Sequence, residues 1–297
     1  MVKNLKILYN LFMKKSNIII SNPKKFAVIK SKITSAGLKK IHVVSDFDRT
    51  LTKAFVRGQA VPSLISILRD ENYLTPDYPE KAKALFKKYH AIETNPKISY
   101  RLKKIKMKEW WQKHFDLLIE SGLTIDDIKK AMKSARLQFR PGVTQLLDLL
   151  HKKQIPLVIF SSSGLGWEAI SRFLKNNKKL YNNIHIVSNA FVWSKTSRAL
   201  AVKQPIIHGY NKDETTISRL PFFKKIKSRT NVILLGNSPA DVGMVKGFKY
   251  QNLLKIGFLN EKVKKNLKEY KIYFDVIITN DGPINFVNKL LNKFIKQ

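Results

Sequence analysis

Three short apolar runs in this chain each stop abruptly at a polar turn, and that repetition limits the folds open to it. Ile41-His42-Val43-Val44-Ser45 halts at Asp46, Ile155–Phe160 halts at Ser161-Ser162-Ser163-Gly164, and Val232–Leu235 halts at Gly236-Asn237-Ser238. Short runs this rich in Val, Ile and Leu read as strands buried on both faces. His185–Ser188, Leu253–Ile256 and Asp275–Ile278 read as further strands, and Asn189–His208 as a hairpin region. Between them, apolar residues recur at helical spacing in Val143–His151, Trp167–Leu174, Glu261–Tyr270 and Ile284–Ile295. Strands alternating with helices predict an α/β fold, a Rossmann-like parallel sheet with helices on both faces. In such sheets ligands bind beyond the carboxyl ends of the strands. Asp46/Asp48, Ser161/Ser162 and Asn237/Asp241 are expected to meet at that edge.

One stretch, Pro62–Gln138, breaks the alternation. Lys81–Tyr89, Lys104–Ser121 and Thr124–Leu137 carry apolar residues at helical spacing, and Thr124 followed by Asp126 and Asp127 suits a helix start. Arg140-Pro141-Gly142 ends this stretch. It reads as a helical block inserted after the first strand.

Composition removes several function classes. Of 297 residues, 44% are hydrophobic, enough for a sizeable core. No apolar run approaches the ~18–20 residues that cross a bilayer, so no membrane partner is expected. The absence of cysteine excludes disulfides, thiolate zinc sites and cysteine nucleophiles. It fits a reducing compartment; the expectation is cytoplasmic, with an organelle as the alternative. The net charge of +35 attracts polyanions such as nucleotides, RNA or a ribonucleoprotein. The lysines are spread along the whole chain and greatly outnumber arginines, which favours a solvated surface over a dedicated nucleic-acid arm. The first forty residues contain no acid. They read as a basic extension packing on the core, with a transit-like leader as the alternative.

Asp46 and Asp48 stand two residues apart just past a strand, so a turn there lets both face one cavity. Asp46 is then placed to attack a phosphoryl group. Asp48 is placed to protonate the leaving oxygen and later to deprotonate water. Two carboxylates and a phosphate repel one another, so the pattern calls for a cation, and Mg²⁺ suits an all-oxygen site. Without support the same pair also reads as turn carboxylates or helix caps.

The support comes from Val43-Val44-Ser45-Asp46-Phe47-Asp48-Arg49-Thr50-Leu51-Thr52, which resembles the first motif of the haloacid dehalogenase superfamily. The chain further resembles the cytosolic pyrimidine 5′-nucleotidases of type III from about Asn22 onward. Lys88-Tyr89-His90-Ala91-Ile92-Glu93, Glu109-Trp110-Trp111, Ile207-His208 with Asn211-Lys212, and Leu254-Lys255-Ile256-Gly257-Phe258-Leu259-Asn260 carry that likeness. The resemblance implies a haloacid-dehalogenase-type core over 41–57 and 141–297, a helical cap over 58–140 and an N-terminal extension over 1–40. It implies hydrolysis of pyrimidine nucleoside monophosphates through an aspartyl-phosphate on Asp46, with Asp48 as acid and base. Lys212, Thr50 and Ser161 or Ser162 would bind phosphate, Ser161 being the preferred motif serine with Ser162 as a second contact. Glu93 would contact the base. Mg²⁺ would be held by Asp46, the Asp48 carbonyl, Asn237 and Asp241.

Three departures stand out. Asn237 replaces an aspartate of the family, which removes one negative charge from the metal site. His114 replaces a serine of the base pocket; it reads as a base-selecting residue or as a surface histidine. The serine loop Phe160–Gly166 is one residue longer. Trp110-Trp111 reads as packing between cap and core, or as a platform for a base. Lys103, Lys104 and Lys106 read as a solvated helix face. The rival function is a catalytically weakened subunit that binds RNA or a ribonucleoprotein, motivated by the charge and by Asn237.

Overall fold

The computed structural model describes residues 17–61, 63–95, 97–212, 220–246 and 249–295. Residues 1–16 of the basic extension expected over 1–40 therefore lie outside the described residues. The strands are β1 (Ile18–Ile20), β2 (Ile41–Ser45), β3 (Phe55–Val56), β4 (Gln59–Ala60), β5 (Leu157–Phe160), β6 (Ile184–Val187), β7 (Phe191–Trp193), β8 (Ala199–Val202), β9 (Asn231–Gly236), β10 (Asn252–Leu259) and β11 (Val276–Thr279).

Seven of them form one sheet in the order β1-β11-β10-β9-β2-β5-β6. All neighbours are parallel except β1, which runs antiparallel to β11 with Ile18 opposite Ile278. Alternate side chains of a strand point to opposite faces. Val43, Ile233 and Leu235 accordingly enter one apolar cluster, and Val44, Val232 and Leu234 enter another. Two buried faces explain why these runs are apolar throughout rather than alternating.

β1 was not foreseen, because three isoleucines in a lysine-rich extension have no flanking strand pattern. The helix after it carries clear local signals. Asn22 accepts a hydrogen bond from the Lys25 amide at 3.0 Å, Pro23 opens the helix Pro23–Ala36, and Gly37 ends it at φ 76°. This helix packs on β10 and meets the C-terminal helix Asn285–Ile295 through Phe26 and Phe286, whose rings lie 6.2 Å apart.

The helical block contains Leu64–Asp70, Tyr78–Thr94, Tyr100–Glu120 and Ile125–Ala131. The expected helix Thr124–Leu137 begins as foreseen, with a reciprocal cap between Thr124 and Asp127, but it stops at Ala131. Ser134 ends it: its hydroxyl bonds Glu71 and accepts from the Arg136 amide, in competition with the helical ladder. Leu64–Asp70 has five successive buried residues and so shows no amphipathic period. The chain rejoins the core where the Lys53 amide meets the Gln138 carbonyl at 3.0 Å and the Arg140 amide meets the Leu51 carbonyl at 2.9 Å.

Two contacts seat the block over the carboxyl ends of the strands. A Cβ on Gly164 would lie 2.4 Å from Ile65 and 2.8 Å from the Trp111 ring, so only glycine lets them close on the serine loop. Phe115 meets Phe191 of β7 edge-on, with centroids 5.6 Å apart.

Candidate functional site

β9, β2 and β5 are neighbours, so their polar ends lie side by side. The Asp46 amide continues the ladder by donating to the Leu235 carbonyl at 3.0 Å, which pins the residue to the end of β9. Its carboxylate is fixed from two sides. Oδ2 accepts from the Thr50 hydroxyl at 3.0 Å and Oδ1 from Lys212 Nζ at 2.7 Å. Lys212 also donates to Asp241 Oδ1 at 3.1 Å. Asp46, Lys212 and Asp241 are all buried.

Gly236 makes the approach of Asp241 feasible: a Cβ there would lie 2.6 Å from the Asp241 Cβ. The second oxygen of Asp241 caps the following turn, accepting from the Asn237 and Ser238 amides at 3.0 Å each. Tyr270 donates its hydroxyl to the Asn237 carbonyl. The segment Gly236–Asp241 is thus held at both ends.

Burial pushes the Asp46 carboxyl up to about 6; the Lys212 ammonium opposes that rise and the Asp241 charge adds to it. Burial would lower the Lys212 ammonium, but the Asp241 and Asp46 carboxylates outweigh it and hold the lysine charged. Asp48 keeps some exposed surface yet is ringed by protein atoms. Burial, then the Asp46 charge, pushes it up to about 7. Its Oδ1 accepts from the Leu64 amide at 3.0 Å, tying it to the first helix of the block. A carboxyl that titrates near neutrality can both give and take a proton.

The oxygens of Asp46 and Asp241, the Asp48 carbonyl and the Asn237 side chain surround this corner. Asn237 Nδ2 donates to the Asp48 carbonyl at 2.9 Å. A half-turn of that amide presents its oxygen instead, so the set offers oxygen ligands throughout and fits Mg²⁺. It does so with little charge: among the described residues there is no group of three or more His, Cys, Asp or Glu able to hold a metal.

The serine loop lies on the other side of Asp46. Ser161 is buried, and its hydroxyl oxygen accepts from the Ser163 amide at 3.1 Å, which leaves its hydrogen free to donate. Ser162 is half-buried. The loop makes two successive serine turns, the second from the Leu165 amide to the Ser163 hydroxyl at 3.2 Å.

From the helical block, Glu93 faces the loop that leads to Lys212. The Tyr210 hydroxyl donates to the Glu93 carbonyl at 3.3 Å, and a Cβ on Gly209 would stand 4.0 Å from Glu93 Oε1. Tyr100 reaches the same loop, with its hydroxyl 3.1 Å from the Tyr210 carbonyl. Trp110 stacks on Tyr89 with ring centroids 5.9 Å apart, and Trp111 packs onto the serine loop. His114 is buried inside the block, with Nε2 3.2 Å from the Tyr78 hydroxyl. Burial, with the Arg69 charge second, lowers it to about 4, so it is neutral at pH 7. No hydrogen bond joins it to the Asp46 cluster among the described residues.

Sequence reasoning gave no site role to Arg140, Asn260 or Asp281, which form a largely buried polar knot behind the loop that follows β2. Arg140 stood in view only as part of a Pro-Gly break. A charged residue beside such a break normally faces solvent, so no local signal marked it.

Comparison with known proteins gives a consistent result. A family profile described as pyrimidine 5′-nucleotidase (UMPH-1) matches residues 49–295. A 7-methylguanosine phosphate-specific 5′-nucleotidase of Gallus gallus is 30% identical over 286 residues, covering 96% of this chain and 98% of its own length. The Rattus norvegicus protein of the same name is 32% identical over 284 residues, 95% of this chain and 94% of its own. Among solved structures, cytosolic 5′-nucleotidase IIIB bound to cytidine superposes with a TM-score of 0.84 at 26% identity, over 95% of both chains. A phosphoserine phosphatase described as a phospho-aspartyl intermediate analogue shares the fold at TM-score 0.51 and 17% identity, covering 84% of this chain and 97% of its own.

Proposed function

The chain belongs to the pyrimidine 5′-nucleotidase (UMPH-1) family, and on that premise we propose that it hydrolyses nucleoside 5′-monophosphates to nucleoside and phosphate. The observation that carries the reading is Lys212 Nζ bridging Asp46 and Asp241 in a buried cluster at the strand ends. Asp46 attacks phosphorus and the ester oxygen leaves, giving an aspartyl-phosphate. The Thr50 hydroxyl and the Lys212 ammonium hold the carboxylate in one rotamer, so attack needs little rearrangement. Lys212, with Ser161 and Ser162 from the next strand, neutralises the phosphoryl oxygens. Asp48 donates a proton to the leaving oxygen and then takes one from the water that cleaves the acyl phosphate, a dual task suited to a carboxyl near 7.

Asp46, the Asp48 carbonyl, Asn237 and Asp241 are the residues that would hold Mg²⁺, which when bound supplies positive charge against the phosphate and the nucleophile. The block over 58–140 acts as a cap that excludes water and carries the base-recognition surface, with Glu93 as its acceptor. The relatives are named for pyrimidine and 7-methylguanosine nucleotides. A 7-methylated guanine ring is cationic and suits a carboxylate set near stacked aromatic rings. Nucleotidase names among the relatives favour an enzyme over an RNA-binding subunit. The Caenorhabditis elegans relative named as cytosolic supports a cytoplasmic site of action. No helix among the described residues is long and apolar enough to cross a membrane.

The test is phosphate release from CMP, UMP and 7-methylguanosine monophosphate with Mg²⁺. Wild type is expected to turn over at least one of them. Asp46→Asn is expected to lose on the order of 10³-fold or more. Equal phosphate release by the two proteins would sink the mechanism.

A further inference from the structure

The loop that follows the nucleophile makes a strained turn, and the strain sits beside the reacting groups. Arg49 is at φ 60°, in the left-handed region, one residue after Asp48 and one before Thr50. A non-glycine residue stays there only when its surroundings over-determine it. The turn has local bonds of its own, from the Arg49 amide to the Thr52 hydroxyl at 2.9 Å and from the Leu51 amide to the Phe47 carbonyl at 3.0 Å, and from outside it is gripped by one buried side chain and its partners. Arg140 is 1% exposed. Its Nε donates to the Thr50 carbonyl at 2.7 Å, Nη2 to the Arg49 carbonyl and to Asn260 Oδ1, and Nη1 to the Gly282 carbonyl at 2.8 Å. Nη1 also pairs with Asp281 Oδ1 at 3.0 Å. These acceptors match the five N–H donors of a guanidinium. Its face lies over the Phe258 ring, 4.4 Å from the centroid, which fixes the plane of the fork.

The acceptors are themselves held. Asn260 Nδ2 donates to the Arg49 carbonyl at 2.9 Å, so that oxygen takes hydrogen bonds from two directions. Asp281, itself at φ 50°, accepts from the Ala54 amide at 3.0 Å and the Phe55 amide at 3.1 Å. The Arg140 amide adds a bond to Leu51. The segment 49–55 is thereby tied to the ends of β10 and β11, with Arg140 reaching 142 residues along the chain to Gly282 and 120 to Asn260.

We infer that Arg140, with Asn260 and Asp281, is a positioning device for the reaction: it fixes the Arg49–Thr50 turn so that the Thr50 hydroxyl and the Asp48 backbone are aimed at the reacting carboxylate. The inference rests on the hydrolase reading of this site. Lysine cannot replace this arginine, because one ammonium with three donors cannot reach acceptors spread around the edge of a planar five-donor fork.

The experiment compares wild type, Arg140→Lys and Asn260→Ala, with unfolding temperature measured for each. Positioning predicts a tenfold or greater fall in kcat for Arg140→Lys, a smaller fall for Asn260→Ala, and a nucleotide KM within about threefold of wild type, because the base is read elsewhere. A merely structural role predicts a lower melting temperature with kcat per folded molecule unchanged, and that result overturns the inference. So does a rise confined to KM. If Arg140→Lys does not fold, Asn260→Ala alone decides: kcat unchanged in the folded variant overturns the inference. If wild type hydrolyses no nucleotide, the functional reading fails by itself. Amide exchange at Thr50 and Leu51 then decides the anchoring, which is overturned if Asn260→Ala leaves their protection unchanged.

Discussion

The two ends of the candidate cleft are built in opposite ways. At the strand ends, every charged group has fixed partners: Asp46 has Thr50 and Lys212, Lys212 has two carboxylates, and Asp241 has two backbone amides besides. At the helical end, Glu93 keeps about a third of its side chain exposed (33%), and the rings of Phe86, His90, Tyr89 and Trp110 stack chiefly on one another. Charge that must meet a developing transition state has to be oriented beforehand, since reorienting it during reaction costs what catalysis would gain. The helical end, proposed to read the base, needs only complementary shape and polarity, and side chains on its helices can be exchanged without disturbing the buried charges.

The largest effect should come from breaking the rigid end. Lys212→Met leaves two buried carboxylates facing each other without a counter-charge. Loss of one partner from a buried ion pair costs about 3–5 kcal/mol. Phosphate release should fall on the order of 10³-fold, read in single-turnover assays, and chemical denaturation should show the destabilisation. A variant with near-normal turnover would remove Lys212 from the phosphate site.

A change at the helical end should act differently. Glu93→Ala is expected to lower kcat/KM for nucleotides by about a hundredfold, roughly 2.7 kcal/mol. Hydrolysis of a small aryl phosphate, which has no base to read, should stay within about threefold. Equal losses on both substrates would erase the distinction between the two ends.

The helical end also has its own pH response. His114 is held near 4, below its ordinary value of 6.5, because burial disfavours its charged form. Between those values the unfolded chain binds the proton and the folded one does not, so stability falls as pH drops from about 6.5 towards 4. The loss should amount to about 3 kcal/mol and be absent from His114→Gln. It is read as the difference between the two proteins in denaturant midpoint across pH 4–7, which cancels the carboxylates they share. Parallel curves would mean that the block admits water to His114.

The smallest effect sharpens the rigid end. Asn237→Asp adds a carboxylate beside the Asp48 carbonyl that the amide now touches. Mg²⁺ should then bind about tenfold more tightly, seen in the metal concentration for half-maximal turnover and in the metal-dependent rise of melting temperature. An unchanged titration would show that the amide oxygen already serves fully.

Much of the sheet was legible because its information is local. A strand buried on both faces must be apolar along its length, so β2, β5 and β9 announced themselves, and their polar stops located the edge where the site lies. The helix start at Thr124 was legible for the same reason: a cap is written within four residues. Leu64–Asp70 was not, because a helix buried all round has no period. β1 was not, because three apolar residues become a strand only when β11 offers an edge.

The site divides along the same line. Asp46 and Asp48 stand in one short run next to a strand end, so their chemistry could be read from the residues themselves, and Asn237 and Asp241 follow another strand. Ser161 follows a third strand in the same way. Lys212 and Glu93 came into view through family resemblance, because nothing near them in the chain sets Lys212 apart from the many solvated lysines. The sequence by itself determined the alternation of strand and helix, and with it the edge at which carboxylates, serines and the Asn237–Asp241 turn collect. Only the tertiary structure decided that Lys212 spans Asp46 and Asp241, that His114 lies inside the helical block, and that Arg140 anchors the turn after Asp48. Those are contacts between segments far apart in the chain. A side chain's partners across such distances depend on which surfaces the core brings together, and no spacing within one segment encodes them.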